Sequence, residues 1–585
     1  MITTNYSFPI AQKAKRRSVQ RQTVYLFFCL LLAGIPARAL DSATATENAL
    51  TPIRSYISSA WDVLTRSMTK CDSIADPKLA TTAVLYLPAG FPPTSSVQRL
   101  EKDCKVEVKY LPIEIHRPGE IDVNQIQPPG LLFLENRYVV PGGRFNEMYG
   151  WDSYFEILGL LRDGRLDLAR GMVENFFFEI EHYGTILNAN RTYFLTRSQP
   201  PFLTSMIMAV YQAEKAAGKA DSGWLAKAYG YASKDYEMWN RDPHLAGATG
   251  LSRYYDFGEG PAPEGLQDEA GYYRSVASFF FEHPEVADHD LVETRTGETN
   301  PDAIGFLFTL QLCEATSAGS KCDPLKTLSL TRDFYKGDRS MRESAFDISF
   351  RFGPYSAQTH HYAPVCLNSL LYKTEKDLEQ MSRLLGKANE SDKWQKRADE
   401  RKERINKYLW DSERGQFFDY NFDTQKRSSY EYASTFYPLW AGLATPEQAR
   451  SVLGNLPVFE QAGGLAMSHT NTGAQWDYPY GWAPIQLLGI EGLRRYGFSA
   501  DADRLSYKFL STVLENFRRD GTIREKYNVV TRSSETHVAT GYKSNVVGFG
   551  WTNGVFLELL HSLPPAVVER LANEESTAAR PRQNN

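Results

Sequence analysis

The chain has 585 residues and a formal net charge of −5, with 42% apolar, 13% aromatic and 23% charged residues. This composition is typical of a folded globular protein and excludes an intrinsically disordered chain. No excess of lysine and arginine is available to neutralise phosphates, so nucleic acid is not an expected partner.

The N-terminal segment has the pattern of a secretory signal peptide. Its basic part is Lys13, Lys15, Arg16, Arg17 and Arg21. An apolar run follows from residue 24 to residue 35, and Ala37-Arg38-Ala39 supplies the small residues that signal peptidases require. The alternative is a membrane anchor, but the run is shorter than the roughly 20 apolar residues that span a bilayer. We therefore expect residues 1–39 to be removed, a periplasmic or secreted mature protein, and no stable membrane insertion.

The cysteines show no pattern of a metal site. Five remain after removal of Cys29 with the signal peptide, namely Cys71, Cys104, Cys313, Cys322 and Cys366. None has the CxxC spacing that is common among structural zinc ligands. The pairs Cys71–Cys104 and Cys313–Cys322 are possible disulfides, which would leave Cys366 as a free thiol.

Three regions follow the signal peptide. Residues 40–140 are irregular and predict a wrapping arm with one short helix around Trp61. From residue 141 to residue 569, apolar residues recur at helical spacing, first in the segments after residue 152 and after residue 166. The pattern returns at 203–216, 224–239, 306–313, 367–385, 393–410, 448–453, 484–496, 502–517 and 552–561. Residues 570–585 predict a disordered tail.

Pairs of helices without strand signals indicate an all-α fold. Each pair must bury its apolar face against its neighbours, which leaves an open α-solenoid or a closed α/α toroid. No fixed repeat length is visible, and this favours the closed toroid. Loops at one end of the inner helices then converge, so polar and aromatic segments between helices are expected to line a pocket.

Two such segments stand out by composition. One is PGGRFNEMYGWD at residues 141–152, and the other is QWDYPYGWAP at residues 475–484. Tryptophan and tyrosine faces stack on sugar rings, while glutamine and aspartate bind hydroxyl groups, so the two segments predict a carbohydrate-binding pocket. A single tryptophan such as Trp482 can equally well be a core residue.

Both segments closely resemble the signature motifs of the trehalase family, glycoside hydrolase family 37. Further similar segments follow in the family's order: NANRTYFLTRSQPP at 188–201, RESAFD at 342–347, EKY at 525–527 and GFGWTNG at 548–554. The likeness spans residues 139–560. It implies an (α/α)6 toroid of the six-hairpin glycosidase type, an α,α-trehalase that inverts configuration, a disaccharide substrate, and no metal or organic cofactor. We expect a monomer.

The resemblance also implies roles for individual residues. Asp347 takes the place of the general acid and Glu525 that of the general base. Twelve further positions match residues that bind the two glucosyl units: Arg144, Phe145, Trp151, Asp152, Asn188, Arg197, Ser198, Gln199, Glu264, Ala345, Gln475 and Trp476.

Two carboxyl groups are what an inverting hydrolase needs. One protonates the leaving oxygen, and the other activates a water molecule on the opposite face, with roughly 6.5–9.5 Å between them. The acid needs a raised pKa, to which an apolar neighbour such as Phe346 or an anion such as Glu343 could contribute. The alternative roles are a helix N-cap for Asp347 and a solvated ion pair with Arg524 or Lys526 for Glu525.

Arginines in these segments also have two interpretations. Arg144 and Arg197 can each donate two hydrogen bonds to sugar hydroxyls or to a carboxylate, whereas a surface salt bridge contributes little. Their position inside the segments 141–152 and 188–201 favours the pocket.

The chain departs from the family pattern at several positions near the expected pocket. Ala262 replaces the arginine of a PRPES segment, and SAFD at 344–347 replaces SGWD. Cys366 replaces an aspartate, and Tyr542 lies where the family carries a Glu-Tyr pair. Loss of the arginine removes a rigid guanidinium group from the sugar site and predicts a remodelled leaving-group subsite. Hydrolysis of another α-glucoside, or a catalytically retired sugar-binding protein, are therefore the alternatives.

Overall fold

A computed structural model describes residues 37–74, 83–263, 269–287, 289–295, 300–316, 319–541 and 544–574, with side chains from residue 45 onward except at 314–319. The basic and apolar parts of the predicted signal peptide lie outside the described residues, as do Glu264, Tyr542 and residues 575–585. The division into an arm, a catalytic domain and a tail stays a prediction. Within the described residues, we find no helix whose length and apolar character would let it cross a membrane.

Helices dominate the part of the chain that the structure describes. They are α1 (Ala37–Leu64), α2 (Ser95–Asp103), α3 (Asp152–Arg162), α4 (Leu166–His182), α5 (Leu203–Ala216), α6 (Ser222–Trp239), α7 (Glu269–Glu282), α8 (Arg332–Glu343), α9 (Val365–Leu384), α10 (Ala388–Tyr408), α11 (Tyr437–Trp440), α12 (Pro446–Gly454), α13 (Leu456–Phe459), α14 (Ala483–Arg495), α15 (Ser499–Asp520), α16 (Gly550–Ser562) and α17 (Pro565–Ala572).

Six of these helices form a closed inner ring. In ring order they are α3, α5, α9, α11, α14 and α16; each contacts the next, and α16 contacts α3. Helices α4, α6, α10 and α15 pack against this ring from outside, and α1 contacts both α16 and α17. The predicted all-α (α/α)6 toroid is confirmed, and α1 is a 28-residue helix rather than the short helix expected around Trp61.

The ring closes where α3 meets α16, and glycine makes that closure possible. A Cβ atom on Gly554 would lie 2.0 Å from the carbonyl oxygen of Phe155, and one on Gly159 would lie 2.5 Å from Cα of Gly554. Only residues without a side chain allow two helix backbones to approach this closely.

Short strands connect the helices. They are β1 (Thr65–Arg66), β2 (Ala83–Leu87), β3 (Val106–Tyr110), β4 (Leu131–Leu132), β5 (Tyr138–Val139), β6 (Leu291–Glu293), β7 (Ala303–Leu310), β8 (Cys313–Thr316), β9 (Gly319–Cys322), β10 (Lys326–Thr331), β11 (Tyr362–Ala363), β12 (Trp410–Asp411), β13 (Gln416–Phe417), β14 (Tyr420–Asn421), β15 (Lys426–Arg427), β16 (Glu460–Gln461), β17 (Gly464–Leu465), β18 (Tyr480–Trp482) and β19 (Lys526–Asn528).

The helix predicted at residues 306–313 is wrong. This segment belongs mainly to β7, which pairs antiparallel with β10 in the sheet β6-β10-β7. Along β7, Phe308 is buried while Leu307 is 61% exposed. Successive side chains therefore point to opposite faces, as in a strand, and the helical interpretation overlooked this two-residue period. A parallel sheet β3-β2-β4 in the arm was also missed, because the wholly buried β2 is a continuous apolar run.

The structure forms both possible disulfides. Cys71 is bonded to Cys104, and Cys313 is bonded to Cys322 across the β8–β9 pair. Cys366 is a free, buried thiol that lies 3.4 Å from Nη1 of Arg351.

Candidate active site

The segment that precedes α3 is held by the loop after α4. The backbone N–H of Trp151 donates to Oε1 of Gln199 at 2.8 Å, and Gly150 N–H donates to the carbonyl oxygen of Asn188 at 3.2 Å. These bonds bring the first and second predicted binding segments together and place Asp152 at the first residue of α3.

Asp347 lies in the segment between α8 and α9. The side-chain amide of Gln475 donates to the carbonyl oxygen of Asp347, and Trp476 N–H donates to that of Ile348 at 3.1 Å. The Asp477 carboxylate accepts a bond from the N–H of Phe350 at 2.8 Å. Residues 475–477 therefore fix the backbone around Asp347. The N-cap interpretation is wrong, because the next helix, α9, has Pro364 at its N-cap.

Glu525 is brought to the same region by strand pairing. β18 and β19 are antiparallel, with Trp482 opposite Lys526. The N–H of Glu525 donates to the carbonyl oxygen of Val546 at 3.0 Å, and the indole N–H of Trp551 donates to the carbonyl oxygen of Glu525 at 3.1 Å. Its carboxylate lies 3.0 Å from Nζ of Lys526, and both side chains are buried. The predicted pairing with lysine is present, but it is not solvated.

Two of the candidate carboxyl groups lie within electrostatic range of Asp152. Burial raises the pKa of Asp152 well above its ordinary value; a bond from its own backbone N–H opposes this rise, and the charges of Glu525 and Asp347 add to it. Such an influence requires Asp347 and Glu525 each to lie within electrostatic range of Asp152. Segments that begin some 200 and 370 residues after Asp152 thus converge on the N-terminus of α3.

The two candidate arginines occupy different places. Arg197 is buried, with Nη2 3.4 Å from Oδ1 of Asn188 and Nη1 3.5 Å from Oδ2 of Asp256, so a surface salt bridge is excluded for it. Arg144 is exposed at the rim, where its guanidinium covers the ring of Phe145 at 4.7 Å and Nη1 lies 3.5 Å from Oγ of Ser544.

Tryptophans form the layer beneath the pocket. Trp476 and Trp482 stack with ring centroids 3.9 Å apart. Trp551 packs edge-on against Trp482, and Trp151 packs edge-on against Trp551. All four are at most 4% exposed. Phe346 adds its ring 5.2 Å from that of Trp476. For Trp482 the core interpretation is correct, and the layer gives the backbone beside Asp347 a rigid support.

Comparison with known proteins agrees with this geometry. The family model described as "Trehalase" matches residues 44–291 and 324–564. The chain belongs to the trehalase family. A protein named "Probable trehalase" from Eremothecium gossypii is 36% identical over 91% of this chain and 76% of its own length. The solved structure of neutral trehalase Nth1 from Saccharomyces cerevisiae has a TM-score of 0.70 and 32% identity, over 90% of this chain and 96% of that one.

Family membership confirms two predictions and overturns a third. The resemblance to trehalases and the expectation of a glycoside hydrolase are confirmed. The predicted periplasmic or secreted location, and with it the signal-peptide interpretation, is contradicted by relatives from Kluyveromyces lactis, Saccharomyces cerevisiae and Neurospora crassa that are named cytosolic neutral trehalases. Basic residues before a short apolar run are a compositional pattern, which other kinds of N-terminal segment share.

Glu343 joins loops around this trehalase-family site, and its role as the anion beside the acid stays a prediction. Its carboxylate accepts bonds from Ser198 N–H at 3.1 Å and Tyr255 N–H at 2.6 Å, and it lies 3.4 Å from Nε2 of His244. Ser198 also uses its hydroxyl internally, donating to the carbonyl oxygen of Ile186 at 2.7 Å.

Sequence reasoning missed the polar cluster on α8. Nε of Arg342 lies 3.1 Å from the Asp338 carboxylate, which also accepts a bond from the Tyr273 hydroxyl. Ala262 is buried at this cluster and donates its N–H to the same hydroxyl, while Arg339 donates to the carbonyl oxygen of the neighbouring residue 261. Charged residues at i, i+1 and i+4 of this helix were the available signal.

Ala345 is the remaining predicted residue. It is buried and adopts a left-handed backbone with φ of 62°, directly after α8. This conformation turns the chain sharply before Asp347.

Proposed function

We propose that this protein hydrolyses α,α-trehalose to two molecules of glucose with inversion of configuration. Asp347 is the general acid and Glu525 the general base. The observation that supports the proposal is that Asp347 and Glu525 both lie within electrostatic range of Asp152, in a chain that belongs to the trehalase family.

The reaction needs one proton transfer at each end. Asp347 donates its proton to the glycosidic oxygen while the bond between that oxygen and the anomeric carbon breaks. Glu525 removes a proton from water, whose oxygen forms a new bond to the anomeric carbon from the opposite face. One glucose leaves with its original α configuration, and the other is released as the β anomer. Proton exchange with solvent restores both carboxyl groups.

The other groups of the pocket hold the sugar. Arg197 and Asn188 offer donors in a buried position, where a hydrogen bond to a hydroxyl is not weakened by competing water. Arg144 and Phe145 lie at the rim, where they can contact the sugar as it enters. Asp152, whose raised pKa favours the neutral carboxyl, can donate a hydrogen bond to the sugar between the two catalytic carboxyl groups.

A related α-glucoside is the second candidate substrate. Ala262 supplies no guanidinium, and its methyl group is buried against the α8 cluster instead of lining an open subsite. Arg339 lies next to this position through its bond to the carbonyl oxygen of Pro261. The leaving-group sugar is therefore held by a different set of groups from the one that the family motif provides. The monomeric state stays a prediction.

The test is release of glucose from trehalose and from a panel of other α-glucosides by the purified full chain. We expect Asp347→Asn and Glu525→Gln to lower kcat by about 10²–10⁴-fold, because each removes one proton-transfer step. Asp103→Asn and Glu101→Gln, which change exposed carboxylates on α2, are the matched controls.

Proton NMR of the first turnover reads the stereochemistry. Equal initial amounts of α- and β-glucose support inversion, whereas release of the α anomer alone would refute it. Activity on another α-glucoside but not on trehalose would favour the second candidate. Full activity of both Asp347→Asn and Glu525→Gln would disprove the assigned roles.

A further inference from the structure

Two adjacent histidines and an aspartate form a cluster outside the proposed active site. The ligand atoms of Asp333, His360 and His361 all lie within 4.8 Å of one another. Nε2 of His360 is 3.0 Å from Oδ1 of Asp333, and Nε2 of His361 is 3.3 Å from the same oxygen. Both imidazoles thus direct the same ring nitrogen at one carboxylate.

We propose that Asp333, His360 and His361 bind a divalent metal ion of the zinc type, and that Asp290, which lines the same cavity, balances its charge. Zinc accepts imidazole nitrogen and carboxylate oxygen at about 2.0–2.2 Å in a tetrahedral arrangement, which places neighbouring ligand atoms about 3.3 Å apart. The nitrogen-to-oxygen distances in the cluster agree with that spacing.

Asp290 supplies the second line of evidence. Its carboxyl is 4% exposed and lines the same cavity of about 610 Å³ as Asp333 and His361, yet no donor in the described part of the chain bonds to it. A buried carboxyl without a donor is unfavourable, and a cation in this cavity would balance it.

The surroundings also fit a metal-bound histidine. Nδ1 of His361 is hydrogen-bonded to the carboxylate of Asp423, in the turn between β14 and β15. Histidines that bind metals commonly donate their second ring N–H to a carboxylate, which fixes the tautomer and the ring orientation. The nearby Arg332 does not take the place of the cation, since it donates to the carbonyl oxygen of Pro301 and lies 3.9 Å from Glu259.

A metal here would join four separate segments. Asp290 directly precedes β6, Asp333 lies in the first turn of α8, His360 and His361 precede α9, and Asp423 follows β14. Residues 292–323, which follow Asp290, lie outside both stretches that match the family model. The ion would fix this insertion to α8, whose other end carries Glu343 and leads to Asp347. The ion would have a structural role rather than that of a catalytic cofactor, of which the family resemblance implies none. The site does not depend on the proposed reaction.

The alternative is a hydrogen-bonded network in which a protonated His361 lies between Asp333 and Asp423. That network leaves the Asp290 carboxyl without a partner. The two arrangements differ in whether the folded chain takes up one equivalent of metal.

Titration calorimetry of the full chain, stripped with chelator and dialysed, with Zn²⁺ alone as the probe, decides between them. We expect one equivalent to bind and the melting temperature to rise on addition. His361→Gln and, as a milder change, Asp290→Asn should each weaken Zn²⁺ binding at least tenfold. Asp423→Asn should weaken it by about 10–100-fold through the lost bond to His361.

His283→Asn, an exposed histidine beyond α7, is the matched control and should bind Zn²⁺ like the wild type. The proposal is overturned if the stripped wild-type chain binds no stoichiometric Zn²⁺, or if affinity is the same in His361→Gln, Asp290→Asn and His283→Asn. Because the experiment measures metal uptake and melting temperature, its result is independent of whether the protein hydrolyses trehalose.

Discussion

Single buried charges in this protein depend on partners that are distant in sequence. Arg197 is held by Asp256, 59 residues away, and Arg351 forms two 2.7 Å bonds to Asp419, 68 residues away. A buried ion without such a partner would destabilise the fold by several kcal/mol. The motif around each residue therefore indicates a role, while the partner that makes burial possible appears only in the tertiary structure.

Asp235 on α6 has a buried carboxyl group whose loss of hydration is little offset by hydrogen bonds. It is 4% exposed, Oδ1 has no hydrogen-bond partner among the described residues, and burial raises its pKa to about 7. The folded state therefore holds the proton more tightly than the unfolded state does. The protonated Asp235 carboxyl therefore contributes fully to the free energy of unfolding below about pH 4, and this contribution is lost as the pH rises to about 7.

Asp235→Asn removes this titration. We expect the free energy of unfolding of the variant, relative to wild type, to increase by about 3 kcal/mol between pH 5 and pH 8, from about 1.36 kcal/mol per pKa unit. Urea unfolding at both pH values measures the difference. Asp392→Asn, at an exposed position on α10, should show no such change. Equal pH dependence in Asp235→Asn and wild type would show that Asp235 is ionised at little cost.

Helices with an apolar stripe could be predicted well, and buried polar ones could not. The predicted segment 203–216 coincides with α5 (Leu203–Ala216), whose apolar residues recur at helical spacing. Helix α8 was missed, because its buried residues include Lys336, Asp338, Arg339 and Glu343. Hydrophobic periodicity does not detect a helix whose buried face is charged, since ion pairs rather than apolar contacts satisfy that face.

Contact between α3 and α16 provides a test at the scale of elements. Gly554→Ala would place a Cβ atom 2.0 Å from a backbone oxygen of α3, which a rotamer change cannot relieve. We expect a loss of more than about 2 kcal/mol in the free energy of unfolding, since overpacking forces the two backbones apart.

Gly454→Ala, at the end of α12, is the matched control. Nothing lies within 4 Å of its added Cβ, and alanine favours a helix by up to about 1 kcal/mol over glycine. Urea unfolding of both variants compares them directly. If Gly554→Ala were as stable as Gly454→Ala, the close approach of α3 to α16 would be refuted.

At the scale of the whole molecule, the N-terminal arm is part of the helical assembly. Trp61 on α1 is fully buried, and its indole N–H donates to Asp163, which directly follows α3, at 2.9 Å. Helix α1 also contacts α16 of the ring. We therefore expect the arm and the ring to unfold together.

Trp61→Ala tests this coupling. Removal of the buried indole should lower the free energy of unfolding by about 3–5 kcal/mol, because it leaves a cavity between the arm and the ring. Val63→Ala on the same helix, where Val63 is 69% exposed, should change it little. Fluorescence and circular dichroism should give one coincident transition for the wild type. An unchanged stability of Trp61→Ala would show that the arm is a separate unit.

The sequence by itself determined the family, the helical class and the candidate catalytic pair, because long motifs and apolar periodicity are local properties of the chain. Only the tertiary structure decided how the ring closes at Gly554, how Asp152 meets Asp347 and Glu525, and that residues 303–310 form a strand. Each of these depends on contacts between segments tens to hundreds of residues apart. Their energies come from packing and from pairing of buried charges, which no local pattern records.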